Sequence, residues 1–303
     1  MRMGLIGLGK MGGNMARRLR NGGVEVVGFA SERDVIDGLV KECGMLPAYS
    51  LAEMIKQLPT PRVLWLMVPS GAPTEQNIED LIPLLSKGDV IVDGGNSNYH
   101  DTERRGAMLQ EKGIRYADVG TSGGVWGLAN GYCLMAGGDD ATIKIIEPAL
   151  KVLAPEPNRG WAHVGPLGSG HYTKMIHNGI EYGMMQAFAE GFALMKSKKE
   201  FHLDMAQIAE LWRHSSVVRS WLLDLTAEGL KDDQELESIA PFVPDSGEGR
   251  WTVVESVDQG VPTPVMTLAL QMRFSSQDGR GYGNRLLSMM RNAFGGHSVK
   301  KNS

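Results

Sequence analysis

The chain has 303 residues, of which 42% are hydrophobic and 22% charged, and its formal net charge is −4 at pH 7. These values are typical of a globular protein with one large or two medium domains. The net negative charge argues against nucleic acid as a partner, so an anionic substrate would need a local basic pocket.

Membrane and disulfide classes find no support in the sequence. The longest apolar stretch, residues 63–68, is too short to span a membrane, and the first apolar run belongs to a glycine motif rather than to a signal peptide. Cys43 and Cys133 lack metal-ligand spacing and predict neither a disulfide nor a metal site. We therefore expect a cytoplasmic protein with reduced cysteines, no bound metal and no membrane partner.

A glycine motif near the N-terminus predicts a dinucleotide-binding turn. The apolar residues 3–6 lead into Gly7-x-Gly9-x-x-Gly12, and apolar residues at helical spacing follow. Gly7 would permit the tight turn, Gly9 would let the backbone approach a pyrophosphate, and Gly12 would let helix and strand pack closely. The pyrophosphate would bind at the helix N-terminus. The predicted cofactor contacts in this stretch are Gly7, Leu8, Gly9, Lys10, Met11 and Gly12.

The residues after the second predicted strand bear on the choice between NAD and NADP. An acidic residue there bonds the ribose of NAD, whereas an arginine accommodates the 2′-phosphate of NADP. Ala30 stands where we expect the acid, and Ser31 and Arg33 can bind a phosphate, which favours NADP, although Glu32 opposes that preference. The further predicted cofactor contacts are Val68, Pro69 and Asn96.

Strand and helix patterns alternate over the first half of the chain. Candidate strands are residues 3–6, 24–29, 63–68, 90–93, 115–118, 132–136 and 161–164, and candidate helices are near residues 14–21, 50–57, 74–85, 101–112 and 140–153. This alternation predicts an α/β Rossmann-type, doubly wound and mostly parallel sheet. The expected bounds of this domain are residues 1–164.

The pattern changes at about residue 165. Strand signals stop there, and helical periodicity continues to the C-terminal region. We therefore expect an all-α domain over residues 165–303 that begins with one long helix near residues 170–198.

Two polar, glycine-rich loops follow predicted strands, at residues 93–98 and 118–127. Open α/β sheets bind ligands at the carboxyl ends of their strands, so both loops are expected to face the cofactor turn. Tight turns alone would explain their glycines but not Asn96 and Ser122.

The long predicted helix carries a polar stripe of unusual composition, formed by Lys174, His177, Asn178, Glu181 and Tyr182. Their spacing places all five on one helix face, among apolar neighbours. A buried lysine and glutamate are costly unless they are paired or used, which favours a proton-handling site over a solvated face. Lys174 and Glu181 would stand about 10 Å apart along the helix axis.

Together these motifs resemble the short form of the 6-phosphogluconate dehydrogenases, within the β-hydroxyacid dehydrogenase superfamily. The matching segments are Gly7-x-Gly9-x-x-Gly12, Gly95-Asn96-Ser97, Ser122-Gly123-Gly124-x-Trp126-Gly127, Lys174-x-x-His177-Asn178-Gly-x-Glu181-Tyr182, Gly249-Arg250-Trp251-Thr252 and the tail from Arg291 to His297. The resemblance covers residues 1–297. It implies oxidative decarboxylation of 6-phosphogluconate to ribulose 5-phosphate and CO2, a step of the pentose phosphate pathway and of gluconate use, with reduction of NADP or NAD.

The resemblance also implies residue roles. Lys174 would be the base at carbon 3 and Glu181 the acid at carbon 1. The implied contacts to the substrate hydroxyls and carboxylate are Asn96, Ser122, Gly123, Gly124, His177 and Asn178. The implied phosphate contacts are Tyr182, Arg250, Thr252, Arg273, Arg291 and His297. Arg250 replaces the lysine of most family members, but arginine can bind phosphate in a bidentate manner. A homo-oligomer, either dimer or tetramer, is also implied.

Two alternatives remain open at this point. One is a β-hydroxyacid dehydrogenase that oxidises a small acid such as 3-hydroxyisobutyrate without decarboxylation. The other is a cofactor-binding sensor without catalysis.

Overall fold

The computed structural model describes residues 1–295 and 298–300. The chain divides into two compact units, Met1–Asn178 and Gly179–Ser303. The first unit contains the sheet, and the described part of the second is helical. The predicted fold class is therefore confirmed. The predicted boundary between residues 164 and 165 stays a prediction, because the last strand ends at Gly165 whereas the compact units divide within the helix that follows.

One sheet organises the first unit. Its strands are β1 Arg2–Ile6, β2 Glu25–Phe29, β3 Leu46–Pro47, β4 Val63–Leu66, β5 Val90–Asp93, β6 Arg115–Ser122, β7 Cys133–Gly137 and β8 Trp161–Gly165. Their order is β3-β2-β1-β4-β5-β6-β7-β8, and neighbours are parallel except for β6 and β7. The order reverses between β1 and β4, which is where sheets of this kind bind ligands at their carboxyl edge.

The central strands are apolar because helices cover both faces of the sheet. β4 and β5 are buried at every residue. Successive side chains of a strand point to opposite faces, so Trp65 belongs to one core cluster and Leu64 and Leu66 belong to the other. Continuous apolar runs of this kind are typical of parallel strands.

The helices of the first unit begin mostly at recognisable caps. They are α1 Lys10–Asn21, α2 Arg33–Cys43, α3 Leu51–Gln57, α4 Ala72–Leu81, α5 Tyr99–Glu111, α6 Gly127–Asn130 and α7 Asp140–Leu153. Ser50, Asn98 and Asp139 each accept a hydrogen bond from a backbone N–H of the first turn of α3, α5 and α7, respectively. Such bonds satisfy donors that have no partner within the helix.

Three elements differ from the sequence prediction. The prediction lacks β3, which has only two residues, and α2, whose N-cap Glu32 makes no side-chain capping bond and whose interior contains Gly38. β6 continues to Ser122, although the sequence predicts a loop from Asp118 onward. The extension pairs antiparallel with β7, and this tertiary pairing overrides the low strand propensity of Gly120.

A single helix of 29 residues, α8 Ser169–Ser197, begins after the sheet, close to the predicted long helix. The helices that follow it are α9 Met205–Trp212, α10 Trp221–Asp232, α11 Glu248–Asp258, α12 Pro264–Gln277 and α13 Tyr282–Gly295. In the second unit, Phe188 and Phe192 of α8 pack on a core that includes Met205 of α9 and Leu223 of α10. In the part of the chain that the structure describes, no helix has the length and apolar character needed to cross a membrane.

Candidate active site

The glycine motif forms the turn between β1 and α1. Gly7 has a φ of +90°, and a Cβ there would lie 2.5 Å from the carbonyl oxygen of Met67. A Cβ on Gly12 would collide with the carbonyl of Gly7, so this glycine lets helix and strand pack together. A Cβ on Gly9 would meet no atom within 4 Å, which leaves the backbone open to a ligand. These three environments suit a dinucleotide pyrophosphate at the N-terminus of α1.

A cavity of about 410 Å³ opens beside this turn. Its lining residues are Ile6, Gly7, Leu8, Gly9, Phe29, Ala30, Ser31, Glu32, Val35, Met67, Val68, Pro69 and Asn77. It brings together seven of the predicted cofactor contacts, which are Gly7, Leu8, Gly9, Ala30, Ser31, Val68 and Pro69. Lys10, Met11, Gly12, Arg33 and Asn96 do not line it. The apolar walls and the open glycine turn fit a nicotinamide dinucleotide.

The selector residues separate at the end of β2. Ser31 and Glu32 line the cavity, and Arg33 is the first residue of α2. The guanidinium carbon of Arg33 lies 4.3 Å from the ring centroid of Tyr49, whose hydroxyl donates to Asp37 Oδ1 at 2.6 Å. In this arrangement the basic side chain stacks on an aromatic ring, and the carboxyl-bearing Glu32 is at the cavity wall.

The loop that follows β5 packs against the end of β4. A Cβ on Gly94 would lie 2.8 Å from Met67 Sδ, and one on Gly95 would lie 2.9 Å from the carbonyl oxygen of Val68. Close approach between two loops therefore requires both glycines, a reason that the sequence could not reveal. Asn96, which follows them, is exposed.

The first turns of α8 assemble a polar cluster within the first unit. Lys174 is only 6% exposed, and its Nζ donates to Asn178 Oδ1 at 2.9 Å. His177 Nδ1 lies 2.9 Å from the same oxygen. Because an amide oxygen only accepts, His177 carries a proton on Nδ1, and Nε2 of the neutral ring can accept from Ser122 Oγ at 3.4 Å. The structure thus brings four predicted site residues together.

Two residues of β6 seat this cluster, and the predicted site did not include them. Asp118 accepts hydrogen bonds from the backbone N–H groups of Gly168, at 2.8 Å, and His171, at 2.7 Å, and so caps the N-terminus of α8. A Cβ on Gly120 would collide with Lys174 Cβ and lie 2.7 Å from the carbonyl oxygen of Gly170. The signal for both residues was their place at the end of a predicted strand.

The second unit holds a separate group of predicted phosphate contacts. The guanidinium carbon of Arg273 lies 3.4 Å from the ring centroid of Tyr182. Tyr182 Oη donates to Asp245 Oδ1 at 3.4 Å, and Arg250 Nε donates to Asp245 Oδ2 at 2.9 Å. Asp245, which the sequence did not single out, therefore connects the tyrosine with one of the arginines.

The remaining predicted residues are placed as follows. Thr252 is buried and its hydroxyl donates to the carbonyl of Glu248 at 2.9 Å. Glu181 is partly exposed on α8, and Arg291 is exposed on α13. Gly123 and Gly124 follow the end of β6. His297 lies outside the described residues.

Charged and phenolic groups around the sheet are shifted by their neighbours. Hydrogen bonds from Arg104 and then Arg105 lower the pKa of Glu75 to about 2, against the opposing effect of burial. Burial and the nearby carboxylate of Asp93 raise the pKa of Tyr116 well above its usual value. Within residues 1–295 and 298–300, no His, Cys, Asp and Glu side chains form a group suited to hold a metal ion.

A glycine turn that can accept a dinucleotide, in the same unit as a buried lysine held by an asparagine, defines the class of the NAD(P)-dependent oxidoreductases. Comparison with known proteins narrows this class. A sequence model described as the NAD binding domain of 6-phosphogluconate dehydrogenase matches residues 2–165, and one described as the C-terminal domain of 6-phosphogluconate dehydrogenase matches residues 170–292. The chain belongs to the 6-phosphogluconate dehydrogenase family, as its motifs indicated.

Individual relatives agree with this membership. The chain is 42% identical over 301 residues to YqeC of Bacillus subtilis (strain 168), whose name carries the 6-phosphogluconate dehydrogenase assignment provisionally; the match covers 99% of this chain and 100% of YqeC. It is 37% identical over 302 residues to the NAD(+)-dependent, decarboxylating 6-phosphogluconate dehydrogenase of Haloferax volcanii, with 99% of each chain covered.

A solved structure extends the comparison to the fold. The 6-phosphogluconate dehydrogenase of Plasmodium falciparum, studied with NADP+ and with 6-phosphogluconate, is similar with a TM-score of 0.84 and 28% identity. The match covers 100% of this chain and 67% of that one. The shorter relatives are thus matched along their whole length, and the Plasmodium enzyme over two thirds of its length.

Proposed function

We propose that this protein catalyses the oxidative decarboxylation of 6-phosphogluconate to ribulose 5-phosphate and CO2, with reduction of a nicotinamide cofactor. The observation that carries the proposal is the buried Lys174, whose Nζ shares the Asn178 amide oxygen with His177. This places an amine of fixed orientation in a water-poor site, which is what a reaction that moves protons at carbon 3 requires.

Lys174 is proposed to act first as a base. Burial favours the neutral form of an amine, and neutral Lys174 can take the proton of the carbon 3 hydroxyl. A bound nicotinamide supplies the acceptor for the hydride that leaves the same carbon. Oxidation yields a ketone at carbon 3, β to the carboxylate. Protonated Lys174 then donates to the ketone oxygen, so that the electron pair released with CO2 has a place to go.

Glu181 is proposed to complete the reaction. Loss of CO2 leaves an enediol, and a proton must be added at carbon 1 to form ribulose 5-phosphate. Glu181 stands two turns after Lys174 on α8 and is the acid assigned to this step. His177 and Ser122 are assigned to the substrate hydroxyls, because the His177 Nε2 and the Ser122 hydroxyl offer an acceptor and a donor within 3.4 Å of one another.

The phosphate is assigned to the cationic group of the second unit. Arg273 and Arg250 supply charge, and Tyr182 and Thr252 supply hydroxyls, with Arg291 and His297 as further proposed contacts. Arg250 is 55% exposed at its side chain, so a phosphate can reach it without loss of its bond to Asp245. A guanidinium can bind phosphate through two parallel hydrogen bonds.

We infer that NAD is the preferred cofactor. The loop sequence favoured NADP through Ser31 and Arg33, but Glu32 lines the cavity, and Arg33 instead stacks on Tyr49. A carboxylate about 20 residues after the glycine motif bonds the ribose hydroxyls of NAD and repels a 2′-phosphate. The relative from Haloferax volcanii, which is named as NAD(+)-dependent, supports this choice.

The Glu32→Ala and Arg33→Ala variants test the cofactor assignment. We expect Glu32→Ala to lower the ratio of kcat/KM with NAD to that with NADP by about tenfold, since one charge-assisted hydrogen bond contributes 1.5–3 kcal/mol. We expect Arg33→Ala, the adjacent control, to leave the ratio within about twofold. If wild type prefers NADP and only Arg33→Ala reduces that preference, Arg33 is the selector and the original NADP prediction holds.

The alternatives are distinguished by substrate and product. A β-hydroxyacid dehydrogenase would oxidise 3-hydroxyisobutyrate without release of CO2, whereas a sensor would bind cofactor without turnover. Saturation curves with 6-phosphogluconate and with 3-hydroxyisobutyrate, with CO2 measured in parallel, separate the three functions. We expect saturation and equimolar CO2 with 6-phosphogluconate alone.

A further inference from the structure

Arg105, on α5, is a buried cation that the proposed reaction does not use. It is 1% exposed. Its Nε donates to Glu75 Oε2 at 2.8 Å, and its Nη2 donates to the carbonyl of Gly71 at 3.2 Å. Nη1 has no hydrogen-bond partner in the described residues and lies 3.7 Å from Asp93 Oδ2. One guanidinium therefore faces two different segments of the chain.

The Asp93 side of this contact leads to the loop that carries Asn96, residues 94–98, here termed the substrate loop. Asp93 is fully buried at the end of β5. Its Oδ1 accepts from the backbone N–H of Gly95 at 3.0 Å, and its Oδ2 accepts from Ser97 Oγ at 2.7 Å. The carboxylate thus fixes the backbone on both sides of Asn96.

The Glu75 side leads to the segment after β4, residues 67–71, here termed the cofactor loop. Glu75 and Gly71 stand at the start of α4, and Thr74 Oγ1 donates to the carbonyl of Pro69 at 2.9 Å. Pro69 lines the cofactor cavity. The two loops also meet directly, because a Cβ on Gly95 would lie 2.9 Å from the Val68 carbonyl.

A buried guanidinium is costly unless its geometry satisfies several acceptors at once. Lysine has one charged atom in place of the planar fork of arginine and cannot serve acceptors on two sides with the same geometry. We propose that Arg105 is a positioning residue that holds the cofactor loop and the substrate loop in register, so that Asn96 meets the substrate where the cofactor is bound. The substrate half of this inference rests on the proposed function.

The neighbouring Arg104 provides a matched control. It also bonds Glu75, at 2.8 and 2.6 Å, but its side chain is 55% exposed and has no printed contact with Asp93. We would compare Arg105→Lys with Arg104→Lys by NADH titration, by kcat and KM for 6-phosphogluconate, and by thermal unfolding. For Arg105→Lys we expect about tenfold increases in the NADH Kd and in the KM, equivalent to about 1.4 kcal/mol each. Arg104→Lys should stay within about twofold.

Ser97→Ala separates positioning from a general loss of stability. It removes one bond to Asp93 on the substrate side, so the KM for 6-phosphogluconate should rise while the NADH Kd stays unchanged. An Arg105→Lys variant with the constants of Arg104→Lys, or with only a kcat that falls in proportion to the folded fraction, would overturn the inference. An unchanged KM in Ser97→Ala would also do so, even if Arg105→Lys failed to fold. If wild type does not turn over 6-phosphogluconate, the proposed function fails, and the NADH titration still tests the cofactor half.

Discussion

Lys174 is the side chain on which the proposed chemistry depends most. We expect Lys174→Met to reduce kcat by about a hundredfold to ten-thousandfold, the usual contribution of a general acid–base group. Circular dichroism and the NADH Kd should remain those of wild type, because methionine suits a buried position. Lys196→Met is the control on the same helix, since Lys196 lies on the exposed side near Glu235. A loss of less than about tenfold in kcat would remove Lys174 from its assigned role.

Glu181→Gln isolates the later proton step. Glutamine keeps the shape and polarity of the side chain but cannot donate the proton needed at carbon 1. We expect cofactor reduction in the first turnover to continue and release of ribulose 5-phosphate to slow, which stopped-flow absorbance and product analysis can separate. Glu190→Gln, on the exposed part of α8, should behave as wild type. Equal effects of the two substitutions would mean that Glu181 has no special role.

The sequence predicted the residues of this site better than it predicted their supports. The helical spacing of Lys174, His177 and Asn178 was sufficient to put them on one face, because helix geometry is local. Asp118 and Arg105 could not be predicted, since their partners lie in distant segments and only the folded chain brings them together. Their side chains explain why the local pattern acquires a fixed position.

At the scale of the element, the contact of α8 with β6 decides where Lys174 stands. We expect Gly120→Ala to displace α8, because the added methyl would collide with Lys174 Cβ. Overpacking of this kind costs about 1–3 kcal/mol, so both Tm and kcat should fall. Gly38→Ala, in the exposed interior of α2, is the control and should raise stability by about 0.5–1 kcal/mol. An active Gly120→Ala enzyme with unchanged Tm would contradict this seating of α8.

Elements with a strong local pattern were predicted well, and those that depend on tertiary pairing were not. β4 and β5 are apolar runs, and α8 is a long periodic segment, so each is visible in the sequence. β3 has two residues, and β6 extends through Gly120 only because β7 pairs with it. Neither feature has a local signal strong enough to predict.

At the scale of the molecule, the second unit leaves large apolar side chains uncovered. Leu194, Val217 and Val265 are 73%, 101% and 67% exposed. Exposed apolar surface of this extent is typical of an assembly interface. We expect a homodimer or tetramer by light scattering, and Val265→Asp should weaken its association. An active species at the 33.0 kDa of a single chain would contradict this expectation.

The most direct test of the whole account is the initial rate with 6-phosphogluconate, measured with NAD and with NADP while CO2 is collected. The account predicts saturable reduction of the cofactor, a higher kcat/KM with NAD, and one CO2 for each cofactor reduced. Cofactor reduction without CO2, or no turnover with either cofactor while NADH still binds, would contradict it.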